Sequence, residues 1–172
     1  DHIVVTGYYK QNFQIGGATL VSEDPEAANN YNPFIASFDT EGNTLWINKI
    51  DCRSGDCRAI DIDTDGHINM LVEMKGNPVL RTVGTDYQSV LKQSASSTVD
   101  NYLVQLDPLS GEMTWSNRLG SNGFEMGYAI VTDQQNHVVC GGLFQNEITM
   151  DSQDGNFQKF TSNGSFDYFV AK

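Results

Sequence analysis

The sequence predicts an all-β fold built from tandem repeats, and three observations carry that reading. Residues 32–46 read N-P-F-I-A-S-F-D-T-E-G-N-T-L-W, residues 101–115 read N-Y-L-V-Q-L-D-P-L-S-G-E-M-T-W, and Asp167-Tyr-Phe-Val-Ala-Lys172 is a third start of the same unit. The other half of the unit also recurs, as Asp1-His-Ile-Val-Val-Thr-Gly7, Asp65-Gly-His-Ile-Asn-Met-Leu71 and Asn136-His-Val-Val-Cys-Gly-Gly142. Short apolar runs alternate with turn residues throughout, and no helical periodicity competes. Self-similarity at a fixed spacing decides architecture before any single residue does.

Each element follows from its residues. Phe34-Ile-Ala-Ser-Phe38 and Tyr102-Leu-Val-Gln-Leu106 read as half-buried strands. Each runs into a turn, Asp39-Thr-Glu-Gly42 or Asp107-Pro-Leu-Ser-Gly111, where Gly accepts the positive φ that closes it. A strand bearing Trp46 or Trp115 follows, and after a polar loop comes Ala59-Ile-Asp-Ile62 or Ala129-Ile-Val-Thr132. The next turns are Asp63-Thr-Asp-Gly66 and Asp133-Gln-Gln-Asn136. A strand and a shorter segment, Asn12-Phe-Gln-Ile15 or Glu147-Ile-Thr-Met150, complete about four strands per unit.

The period is roughly 65 to 70 residues, longer than ordinary propeller repeats. The excess lies in polar segments at 16–32, 76–100 and 151–165, one at the same place in each unit. Insertions that recur at one place are expected on one face, often the binding face.

Tandem four-stranded antiparallel units suggest a β-propeller, here incomplete at about two and a half blades where closure takes about four to eight. Boundaries fall near 32 and 100, with a further unit starting near 166, in a single segment spanning 1–172. The order of apolar strand, Asp, Gly-containing turn and Trp, then Ala-Ile-x-x-Asp, a turn and an apolar strand ending in Gly, resembles the SBBP-type β-propeller repeat family. Leu106-Asp-Pro-Leu-Ser-Gly-Glu-Met-Thr-Trp115 also resembles the tryptophan-docking motif of quinoprotein-like propellers. The resemblance implies that Trp46 and Trp115 pack between blades; ligand-stacking platforms are the alternative. It implies no activity, since fold alone does not license function. Closure is expected within a longer chain, by association with other copies, or as an open stack of β-units.

Composition bounds the partners. The net charge of −12 repels nucleic acid and anionic lipid, and no apolar run is long enough to span a bilayer. No charged-then-apolar leader opens the chain, so any signal peptide is removed or lies outside this segment. Cys52 and Cys57 bracket Arg-Ser-Gly-Asp, which reads as a tight turn closed by a disulfide in an oxidising compartment, with a pair of metal thiolates as the alternative. Cys140 reads as a small buried hydrophobe. Asn163-Gly-Ser165 is a glycosylation sequon in a Gly/Ser-rich turn, consistent with an extracellular or cell-surface glycoprotein.

Candidate chemistry is sparse. Asp61-Ile-Asp-Thr-Asp-Gly-His-Ile-Asn69 has the front half of a calcium loop, with Asp61, Asp63, Asp65 and Asn69 as ligands. Its other reading is a hairpin turn capped by Asp side chains. His2, His67 and His137 occupy one repeat position, either as turn-flanking residues or as ligands of one metal. No nucleophile has a base partner in view, and no phosphate loop or metalloprotease helix is present. The expected function is therefore a non-enzymatic extracellular module for structure, adhesion or assembly, with no cofactor unless calcium. Its expected partners are other copies of itself, the remainder of a longer chain, or extracellular proteins and glycans. The alternatives are a secreted polysaccharide-acting enzyme with its site on the long-loop face, and a calcium-binding propeller.

Overall fold

The structure, a computed structural model, describes residues 2–22, 30–94, 98–151 and 156–172. Sixteen strands fill the described residues: β1 (His2–Tyr9), β2 (Asn12–Ile15), β3 (Ala18–Val21), β4 (Asn32–Asp39), β5 (Thr44–Asp51), β6 (Ser54–Ile62), β7 (Ile68–Lys75), β8 (Val79–Thr82), β9 (Gln88–Val90), β10 (Asp100–Leu106), β11 (Met113–Leu119), β12 (Glu125–Thr132), β13 (Val138–Phe144), β14 (Glu147–Asp151), β15 (Phe157–Thr161) and β16 (Asp167–Ala171). The all-β character of the sequence reading stands. The repeat maps onto them directly: β1, β7 and β13 correspond, as do β4, β10 and β16, and β5 and β11 are the tryptophan strands.

The strands form four antiparallel sheets. A five-stranded sheet runs β1-β4-β5-β8-β9, a six-stranded sheet β15-β14-β11-β10-β7-β6, a three-stranded sheet β12-β13-β16, and β2-β3 pair alone. The six-stranded sheet is the middle layer. Both faces of β7 and β10 are buried, which is why Ile68-Asn-Met-Leu-Val-Glu-Met74 is nearly continuously apolar rather than alternating. Met70, Val72 and Met74 point to a cluster shared with Ile35, Trp46 and Ile50 of the five-stranded sheet. Leu71, Leu103 and Leu119 point the other way, to Cys140, Phe144 and Phe169 of the three-stranded sheet. A third cluster joins Leu20 of the β2–β3 hairpin to Phe34, Ala36 and Ile47.

The β-propeller expectation is overturned, and with it the resemblance to SBBP-type repeats. The sheets hold five, six, three and two strands instead of four each, and none closes on itself. The cause lies in the segments expected to be polar insertions. Residues 76–100 contain β8 and β9, and β8 pairs back onto β5 of the preceding sheet. Residues 151–165 contain β15, whose partner β14 likewise pairs back onto β11. The five- and six-stranded sheets thus each take in the hairpin, β8–β9 or β14–β15, that closes the repeat to which their tryptophan strand belongs. An extracellular structural, adhesion or assembly module made of propeller blades loses its scaffold, as do the two propeller-based alternatives.

The disulfide expectation also fails. Cys52, Cys57 and Cys140 are all free. The supposed tight turn is extended chain, because β6 begins at Ser54. Cys52 Sγ lies beside Gly55, where a Cβ would sit 3.0 Å from it. Cys57 Sγ instead lies 3.8 Å from the Leu71 carbonyl oxygen in the middle sheet.

Candidate functional site

The joint between the first two layers is a clamp on a turn. Asp107 organises that turn by accepting from the backbone N–H groups of Leu109 and Ser110, and these bonds hold its carboxyl below the usual carboxylate range. Gly111 takes φ +73°, and a Cβ there would sit 2.7 Å from the Trp46 ring. Trp46 Nε1–H donates to the Pro108 carbonyl at 2.9 Å, and Asn48 Nδ2–H donates to the Gly111 carbonyl at 2.6 Å. Both side chains are buried, with Asn48 wholly enclosed. Two carbonyls of one turn are therefore read by an indole and an amide two residues apart on β5.

β11 repeats those groups. Trp115 and Asn117 occupy the positions of Trp46 and Asn48, but Trp115 is half-buried, and neither side chain makes a hydrogen bond among the described residues. Asn117 lines a cavity of about 400 Å³ together with Leu119, Met150, Ala171 and Lys172. Ala171 and Lys172 lie at the end of β16, where the corresponding strand β10 runs into the clamped turn. Sequence reasoning singled out both tryptophans but missed the asparagines; the Trp-x-Asn spacing in both copies was the available signal.

β16 itself is an open edge. Its counterparts are flanked on both sides: β4 by β1 and β5, and β10 by β7 and β11. β16 has β13 alone among the described residues. Its register places Val170 opposite Gly141, and Tyr168 opposite Leu143. These outward residues are 77% and 85% exposed, whereas Phe169 on the inward face is 6% exposed. A groove of about 530 Å³ runs beside the strand, lined by Phe144, Ile148, Phe160, Tyr168, Phe169 and Val170 among others.

The calcium residues have other work. Asp63 accepts from the backbone N–H groups of Asp65 and His67 through Oδ1, and its Oδ2 faces His67 Nδ1 at 3.2 Å. Asp61 Oδ2 accepts from Thr132 N–H at 2.6 Å, and Asp65 Oδ2 accepts from Asn136 Nδ2–H at 2.7 Å, tying the middle layer to the three-stranded sheet. Asn69 donates to Thr132 and accepts from Gln105. Among the described residues no group of three or more His, Cys, Asp or Glu could hold a metal ion, so the calcium reading is corrected to a set of turn caps and cross-sheet ties. His137 repeats the arrangement, with its Nδ1 3.0 Å from Asp133, so these two histidines serve their own turns. Asn163 is exposed, and its N–H donates to Asp167 at 2.6 Å.

A group of carboxylates lies inside the protein. Glu125 is 1% exposed and Asp100 fully buried. Burial, then the Asp100 charge, pushes Glu125 up to about 7, while Ser121 Oγ–H donates to it at 3.3 Å. Arg118 pairs with Asp100 at 3.5 Å and Asp151 at 3.6 Å. Glu73 accepts from Arg58 at 2.6 Å and from Gly127 N–H at 3.1 Å across the second joint. Nothing in local sequence pattern marked this group, because its members come from six separate strands and a loop. Compared with protein-family models, curated proteins and solved structures, the chain matches none.

Proposed function

We propose that this chain is a β-stack module whose edge strand β16 takes up an extended polypeptide segment by strand addition, the segment being supplied by a partner or by further residues of the same polypeptide. The observation that carries the reading is the contrast between β16 and its two counterparts. The same motif sits between two antiparallel strands in β4 and in β10, and among the described residues has one in β16. An unpaired edge offers a row of backbone donors and acceptors, and added main-chain bonds supply affinity while side-chain pockets supply specificity. The groove along Phe144, Ile148 and Phe160 is such a pocket. The net charge of −12 favours a cationic segment by long-range attraction.

The test uses a synthetic peptide with the sequence of residues 113–119, the strand that flanks β10 in the complete sheet. Amide hydrogen exchange of β16 should slow when it is added in excess. Two further peptides, N-methylated at alternate backbone positions, should differ, because only one set of amides faces the edge. Unchanged exchange, or equal binding by both methylated peptides, would remove the strand-addition reading.

A further inference from the structure

We propose that Glu125 and Ser121 form a proton-operated latch that fastens together the two chain crossings between the six-stranded and three-stranded sheets. The first crossing is the loop 120–124, which leads from β11 to β12. The second is the turn 145–146, which leads from β13 back to β14. The two meet in a seam. Gln145 N–H donates to the Phe124 carbonyl at 2.9 Å, and Gly120 N–H donates to the Thr149 carbonyl at 2.9 Å. A Cβ at Gly123 would collide with the Gln145 carbonyl oxygen. Ser121 Oγ–H reaches the Glu147 carbonyl across the same seam.

The latch follows from a count of protons. A hydroxyl has one hydrogen to give and two lone pairs to receive. Ser121 Oγ is in contact with three groups: the Glu147 carbonyl, Gly123 N–H at 3.2 Å and Glu125 Oε1 at 3.3 Å. The carbonyl only accepts and the N–H only donates. All three contacts therefore hold together only when Ser121 gives its hydrogen to Glu147 and a neutral Glu125 gives its own to Ser121. An ionised Glu125 accepts and cannot donate. It then draws the Ser121 hydrogen to itself, and the Glu147 carbonyl loses its donor across the seam. Glu125 Oε2 has no partner among the described residues, and the residue is 1% exposed, so the buried charge has little else to satisfy it.

The charged surroundings favour the neutral acid. Asp100 of β10 opposes a charge on Glu125, while Arg118 of β11 supports one but is shared with Asp100 at 3.5 Å and with Asp151 of β14 at 3.6 Å. Lys92 is held on Asp151 at 2.6 Å. Glu147 of β14 pairs its carboxylate with Lys159 of β15 at 2.6 Å, and β13 sets the uncharged Phe144 opposite Glu125. Glu73 of β7 meets β12 at Gly127 and is paired there with Arg58 of β6 at 2.6 Å. Burial, then the Asp100 charge, raises Glu125 to about 7 against the pull of Ser121 and Arg118. The proton is present below that pH and leaves as pH rises through it, so the latch is closed on the acid side and released on the alkaline side.

Amide hydrogen exchange, followed at single residues at pH 6 and pH 8 and corrected for intrinsic rates, reads the latch. Gly120 and Gln145 donate across the seam and should lose protection at least about tenfold relative to Val83, since one pH unit past the midpoint leaves about a tenth of the molecules protonated. Val83 N–H donates to Ile47 in the five-stranded sheet and reports opening of the protein as a whole. Glu125→Gln supplies an amide that donates at either pH and should abolish the relative loss, with both seam amides staying protected. Ser121→Ala removes the shared hydroxyl and should leave them poorly protected at both pH values. The parent at pH 6 should also show the infrared carbonyl band of a buried neutral carboxyl, missing in Glu125→Gln. A loss shared equally by Val83 would make Glu125 a contributor to overall stability alone and overturn the latch. A relative loss that persists in Glu125→Gln, or a parent without the neutral-carboxyl band at pH 6, would overturn it as well.

Discussion

Trp46 and Gly111 are made for each other: the indole occupies the space in which any Cβ at residue 111 would lie, at 2.7 Å, and donates its N–H to Pro108 in the same turn. The pair joins residues far apart in sequence and sets the spacing of the first two layers. It also explains why a glycine closes the turn, since φ is +73° and the space is already taken.

Gly111→Ala should destabilise the fold by about 3 kcal/mol or more, combining left-handed backbone strain with overpacking. Gly42→Ala carries the strain alone and should cost about 1 kcal/mol. Urea midpoints of the two variants check this. Equal losses would mean that the indole contact contributes nothing.

Glu125 links stability to pH. Its carboxyl is raised in the folded state to about 7 from an ordinary 4.5, so the folded protein holds a proton that the unfolded chain has released between those values. Stability from this group is complete below pH 4.5 and is lost as pH rises through about 7, by roughly 3 kcal/mol. Glu125→Gln should flatten the decline between pH 5 and pH 8 in denaturant titrations. A variant that declines as steeply as the parent would place the effect elsewhere.

Asp63→Ala should cost about 2 kcal/mol, because the backbone N–H groups of Asp65 and His67 lose their acceptor. Calcium and chelator should leave the melting temperature of the parent protein unchanged, since these carboxylates already cap turns and tie sheets. A rise of several degrees with millimolar calcium would reverse that assignment.

The three thiols should react slowly with a disulfide reagent at pH 8 in the folded protein and all at once on unfolding. Burial, then the Asp51 charge, pushes Cys52 up to about 12. Burial pushes Cys57 up to about 12 and Cys140 up to about 11. Only the thiolate attacks, so little of any of them is reactive until it is exposed. Finding one thiol instead of three in denaturant would show a bridge between Cys52 and Cys57.

Much of the local structure was readable from residue order. The turns at Asp39, Asp63, Asp107 and Asp133 announce themselves through an Asp that caps its own backbone, and each carboxylate does so. The tryptophan strands and the repeat were equally plain. Unreadable were Asn48, whose role depends on a carbonyl 63 residues away, and Glu125, whose ionisation depends on Asp100 from another strand. The stretch between Cys52 and Cys57 misled, because Gly55 suits a turn but here makes room for the Glu73 carbonyl oxygen and Pro33.

What residue order determined by itself is the alphabet of the fold: strands, turns, and the recurrence that makes β4, β10 and β16 one element. Those features depend on steric preference and hydrogen bonds between near neighbours, which side chains encode locally. Tertiary structure alone decided which sheet each strand joins and that β8 and β14 pair backward. Backbone donors and acceptors are the same in every residue but proline, so pairing between distant strands leaves no mark in the sequence. It is settled only when the layers pack.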